Sequence, residues 1–122
     1  MTQDTSTYYV WIGGSCDYGH KERAGGAAVV IVHDGNIISR DVISDFHTTE
    51  FRMMLTLMVK VMQEIPEGSD ILFLTNAAYI QNFDKTPTSK SANPDLIIRC
   101  IEEKERHNSV GVKIVNITKA HC

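Results

Sequence analysis

The side chains best suited to metal or nucleophilic chemistry in this 122-residue chain are five histidines and three cysteines, and their spacing sets up neither. Cys16, Cys100 and Cys122 show no paired spacing of the kind a zinc site or disulfide frame needs, and read as reduced thiols. Asp17 follows Cys16 and disfavours its thiolate, and no basic partner is evident, so Cys16 is not read as a nucleophile. His20, His33, His47 and His107 fall in loops or near element ends, where solvated imidazoles are expected rather than metal ligands. Lys85 and Lys90 flank Thr-Pro-Thr-Ser, a thin basic patch that reads as a solvated loop before a nucleic-acid contact. Chemistry would converge at the end of the first strand, where side chains meet the ends of neighbouring elements. That place holds Gly13-Gly14-Ser15-Cys16.

The elements around that point follow from periodicity. Tyr8-Tyr9-Val10-Trp11-Ile12 is aromatic and β-branched, a strand over about Thr7 to Gly13 that the Gly-Gly-Ser break is expected to end in a tight turn. Gly25-Gly26 leads into Ala28-Val29-Val30-Ile31-Val32, and Asp34-Gly35 then turns the chain into a third strand from Asn36 to Asp45, an antiparallel meander. Thr48 or Thr49 caps a helix in which Phe51, Met54, Leu55, Met58, Met62 and Ile65 recur at helical spacing until Pro66. Its methionines read as a deformable core face rather than a ligand surface. Asp70 to Thr75 is a short apolar strand, parallel to an earlier one because a helix precedes it. A short helix begins near Asn76. Pro94 opens a second long helix to about Arg106, with Leu96, Ile97, Cys100 and Ile101 inward, and Val112 to Ile117 is the last strand.

The order βββαβαβ specifies one α/β domain over residues 1–122, with residues 1–7 a loose end. An apolar content of 43% supports a packed core. The net charge of −3 gives no electrostatic case for nucleic acid. No basic-then-apolar leader and no membrane-length apolar run is visible, which with the thiols points to a cytoplasmic protein.

With these junctions the chain resembles the type 1 ribonuclease H family over nearly its whole length. The family's first strand ends Thr-Asp-Gly-Ser-Cys; here it reads Ile12-Gly13-Gly14-Ser15-Cys16. Gly25-Gly26 matches the Gly-Gly before strand two. The helix opening Asn-Arg-Met-Glu-Leu is set against Thr49-Glu50-Phe51-Arg52-Met53, the strand end Thr-Asp-Ser-x-Tyr against Thr75-Asn76-Ala77-Ala78-Tyr79, and Lys-Gly-His against Lys119-Ala120-His121. Five such matches in order, each at the end or start of an element, are more specific than any one alone. The resemblance implies a five-stranded mixed sheet, an antiparallel meander plus two parallel strands, with two main crossover helices and the family's C-terminal helix missing.

The family hydrolyses RNA with paired Mg²⁺ ions held by carboxylates. In this register the first carboxylate becomes Gly13, the second Arg52 and the third Asn76, and the fourth would lie beyond His121. A unit charge about 4 Å from a like charge costs roughly 4 kcal/mol at an effective dielectric near 20, and a divalent ion doubles that, so Arg52 would oppose metal entry. Glu50 lies two helix positions from Arg52, about 200° round, and reaches the site only if the helix register shifts by two. The expectation is a catalytically inactive module for protein interaction or homo-oligomerisation, with no cofactor. A homodimer or another protein would cover the sheet face of Tyr9 and Trp11, left bare by the missing helix. One alternative is a non-cleaving binder of RNA–DNA hybrid using Ser15, Cys16, Arg52, Asn76, Tyr79, Lys119 and His121. The other is an active ribonuclease with relocated carboxylates.

Overall fold

Thr49 starts the main helix. Its hydroxyl accepts a hydrogen bond from the Arg52 amide at 3.1 Å, satisfying one of the donors a helix start leaves open. The helix, α1, runs Glu50–Glu64 and stops at Ile65, before Pro66. The structure is a computed structural model, and it describes residues 6–16, 24–88 and 92–115. Met54, Leu55, Leu57, Met58 and Met62 of α1 have no solvent exposure, so its methionines are core.

The strands are β1 (Thr7–Cys16), β2 (Gly25–His33), β3 (Asn36–Asp45), β4 (Asp70–Thr75) and β5 (Ser109–Ile114). They form one mixed sheet in the order β3-β2-β1-β4-β5, with β1 antiparallel to β2 and parallel to β4. The β2–β3 hairpin turns at Asp34 and Gly35, both at positive φ (53° and 75°), the handedness a two-residue loop needs. A 3-10 segment (Ala78–Asn82) follows β4, and the second helix, α2 (Pro94–Glu105), packs on α1 with Ile97 and Cys100 buried. Burial pushes the Cys100 thiol up to about 12, so it is a core residue and no nucleophile at neutral pH.

Side chains alternate across a strand, and the register sorts them. Val10 and Ile12 stand opposite Ile31 and Val29 and face α1, while Tyr9 and Trp11 stand opposite Val32 and Val30 on the other face. Among the described residues no helix covers that second face, and Trp11 is 44% exposed there.

Three expectations need correction. The Gly-Gly-Ser segment does not turn: β1 continues to Cys16, pairing Gly14 with Ala27 and Cys16 with Gly25. Its glycine serves close approach instead, because a Cβ on Gly14 would come within 3.0 Å of Glu50 and Met54 side-chain atoms. Strand β5 starts at Ser109, three residues before Val112. The Asp70 carboxylate anchors its start by accepting from Asn108 Nδ2 at 2.6 Å and Ser109 Oγ at 2.7 Å. His107 is not solvated but 8% exposed, and its Nε2 donates to the Met62 carbonyl at 2.7 Å, tying the end of α2 to α1.

Replacing a fully buried side chain leaves a cavity, so Met58→Ala should lower unfolding stability by about 2–5 kcal/mol. Thr49→Ala, which removes only the cap, should cost about 1 kcal/mol. Urea denaturation checks both, and equal losses would contradict this division between core and cap.

Candidate functional site

The end of β1 opens into a shallow cleft on the sheet face away from α1. Gly13, Gly14 and Ser15 form one wall, the start of β2 and Val42 to Ser44 of β3 another, and Asn76, just past β4, closes the end. Gly13 and Asn76 therefore share this cleft. A Cβ at Gly13 would have no neighbour within 4 Å, so there is room for a side chain where the sequence supplies none. Thr75 is buried and its hydroxyl accepts from the Ala77 amide at 3.2 Å, which turns the chain so that Asn76 is exposed at the strand end.

Arg52 does not line the cleft. Its Nη2 pairs with Asp95 Oδ2 at 3.2 Å, and its Nη1 donates to Asn93 Oδ1 at 3.2 Å. It therefore fastens the first turn of α1 to the start of α2. The side chains next to Gly14 are those of Glu50 and Met54. The register of the helix opening moves accordingly: Arg52-Met53-Met54-Leu55 fits Arg-Met-Glu-Leu directly, which puts Met54, fully buried, at the glutamate position. The missed signal was the arginine itself, matched to an acid when it has its own counterpart in the same motif.

Mg²⁺ demands hard oxygen ligands and is usually held through carboxylates. Among the described residues, the cleft walls offer the hydroxyls of Ser15 and Ser44, the Asn76 amide and main-chain carbonyls, and no carboxylate. Met54 offers a soft thioether, and Glu50 lies on the α1 side of the sheet, by Gly14 rather than Gly13. Among the described residues no three histidine, cysteine or acidic side chains converge on a point. The described residues do not fit a paired-metal centre.

The other site candidates are dispersed. Ser15 lies in the cleft. Tyr79, on the 3-10 segment, meets Phe51 edge to face at 5.4 Å and lines a separate groove with Asn82 and Lys85. Tyr9 and Trp11 share a groove on the open face. Cys16 is the last residue of β1, and His33 stacks on Tyr8 at 3.9 Å. Lys119 and His121, with Asp17, His20, Lys90 and Cys122, lie outside the described residues.

No family model matches the sequence, and no curated protein matches it. Solved structures do. One is the crystal structure of LC9-RNase H1, a type 1 RNase H with the type 2 active-site motif, at 19% identity and a TM-score of 0.76, covering 98% of this chain and 67% of that one. Another is RNase H1 from the halophilic archaeon Halobacterium salinarum NRC-1, at 13% identity and a TM-score of 0.70, covering 89% of this chain and 85% of that one. The chain has the ribonuclease H fold.

The Arg52 guanidinium holds the Asp95 carboxyl below the usual carboxylate range. A depressed carboxyl stabilises the fold above its unfolded pKa, about 3.9, and loses that contribution as pH falls through the lower folded value. Arg52→Ala should therefore be less stable than the parent at pH 6, and the gap should narrow as pH falls through the carboxylate range, leaving the share owed to the Asn93 hydrogen bond. A gap unchanged between pH 6 and pH 3 in denaturant midpoints would refute the pairing.

Proposed function

We infer that this chain is a ribonuclease H-like domain that does not hydrolyse RNA and works instead as a protein-interaction module, in which a partner occupies the sheet face around Trp11. The observation that carries this reading is Gly13. It stands where the resembled family places its first metal-binding carboxylate, with open space in front of it and no ligand atom of its own. Met54 and Asn76 at the next two positions deepen the loss, since neither supplies a carboxylate. No resident divalent ion is expected. The half-exposed Trp11 on a central strand supports the interaction half of the reading, because large apolar surface on a sheet face is normally covered.

The nucleic-acid alternative loses its main support. A phosphate-binding Arg52 would have to abandon Asp95, and the net charge of −3 supplies no compensating field. Relocated carboxylates find one candidate among the described residues at the end of β1, Glu50, where a paired-metal mechanism needs several.

Incubating the pure protein with an RNA–DNA hybrid in Mg²⁺ or Mn²⁺, at low and physiological salt, should give no cleavage above a protein-free control. Metal-dependent cleavage that Glu50→Gln abolishes would overturn the reading. Installing Gly13→Asp and Asn76→Asp together should put two carboxylates in the cleft and give Mn²⁺ binding measurable by calorimetry, where the parent gives none.

A further inference from the structure

The open face of the sheet has an ordered charge pattern. Reading the register across all five strands places Arg40, Val30, Trp11, Leu74 and Lys113 in one row on that face. The neighbouring row is Ile37, Val32, Tyr9, Leu72 and Gly111. The next row in the other direction is Val42, Ala28 and Gly13. An apolar band thus runs along the central strands, small at the Gly13 end and bulky at Tyr9, with an exposed cation on each edge strand. Tyr9, Trp11, Val32, Leu72 and Leu74 form a groove in this band, with Lys113 on its rim.

The dimensions select the occupant. Four strand spacings of about 4.8 Å separate Arg40 from Lys113, roughly 19 Å in all. An α-helix with its side chains is about 10–12 Å across. One helix laid along the strands therefore fills the band and leaves its two flanks within reach of the two cations. A second copy of this chain fits less well. Stacked about a two-fold axis with strands aligned, it sets Arg40 against Lys113 of its mate, or each cation against its own counterpart. Like charges brought together in this way oppose association.

We propose that the Trp11 face is the docking site for an amphipathic helix of a partner protein, with an apolar stripe that seats over Trp11, Val30 and Leu74 and with acidic residues along both flanks that meet Arg40 and Lys113. This inference rests on the interaction-module reading and names the partner's chemistry. Helix-on-sheet packing buries the stripe, and the flanking charges set register and orientation. The small side chains at Gly13 and Ala28 let one end of the helix approach more closely than the Tyr9 end.

The test uses the whole chain and two synthetic helical peptides of about four turns. One carries leucines at i, i+3, i+4 and i+7 flanked by glutamates, and its twin carries lysines in place of the glutamates. Trp11 is the sole tryptophan, so its emission reports the face directly. The glutamate peptide should shift Trp11 emission to the blue and saturate, and the lysine twin should bind at least roughly tenfold more weakly. The variant Arg40→Glu with Lys113→Glu should reverse that order. Lys113→Glu alone, at an exposed position, should narrow it, and circular dichroism confirms that each variant is folded. No response to either peptide, an equal response to both, or an unchanged order in the double variant would overturn the proposal. So would a Trp11 shift on concentrating the protein alone with doubled mass by light scattering, which would give the face to a second copy. A Trp11 already blue-shifted and insensitive to peptide and dilution would give it to another segment of this chain. Hybrid cleavage would remove the interaction-module reading, whereas peptide failure without cleavage removes only this inference.

Discussion

The close approach of α1 to the end of β1 is the constraint on which the rest of the molecule depends. Gly14 lets Glu50 and Met54 come to where a Cβ would stand, at 3.0 Å. From that contact the buried side of α1 runs down over Val10, Ile12, Val29 and Ile31, all nearly inaccessible to water. Thr49 and Pro66 fix where the helix begins and ends, and the burial of Met54, Met58 and Met62 fixes its rotation about its own axis. With Met54 turned to the sheet, Arg52 stands two positions and about 200° away, toward α2 rather than the cleft. The geometry of the candidate site is thus a consequence of helix packing, settled before any chemistry at the site is considered.

Much of this was legible in the sequence, for local reasons. Asp34-Gly35 encodes its hairpin because both residues tolerate positive φ. The α1 limits follow from a capping threonine and a proline, and Asp70 to Thr75 from an uninterrupted apolar run after Gly68. What was misread depended on distant partners. A Gly-Gly-Ser run signals a turn locally, yet here Glu50 and Met54 need the space beside it. Gly111 hid the early start of β5, whose first residue is held by the Asp70 carboxylate, 39 positions earlier. His107 looked solvated at a helix end, and only the folded chain brings the Met62 carbonyl 45 positions away to its ring.

The candidate site shows how separately a fold and its chemistry are encoded. The sheet order and helix placement come from dozens of apolar positions, so solved ribonucleases H superpose on this chain at only 13% and 19% identity. A paired-metal centre rests on a few oxygen donors, and each can be lost without disturbing the core. Clustered carboxylates repel one another when no cation lies between them, so they oppose the folded state unless function retains them. Met54 is wholly buried and extends the core to Gly14 at the end of β1.

The two faces of the sheet differ in how far folding alone satisfies them. Against α1, Val10, Ile12, Val29 and Ile31 are at most 3% exposed. Opposite, Trp11 keeps 44% of its surface in water on the central strand β1, between Val30 and Leu74. With about 250 Å² on an indole and about 25 cal/mol per Å², covering the remainder would contribute roughly 2–3 kcal/mol from this side chain alone. That gain is comparable to one large core contact, and it is open to any surface of suitable shape. The charges on the two edge strands then decide which surface wins. Arg40 and Lys113 add little to the attraction while exposed, yet opposed to like charge as the face closes they subtract from it. Like charge on both edge strands therefore opposes face-to-face stacking of two copies.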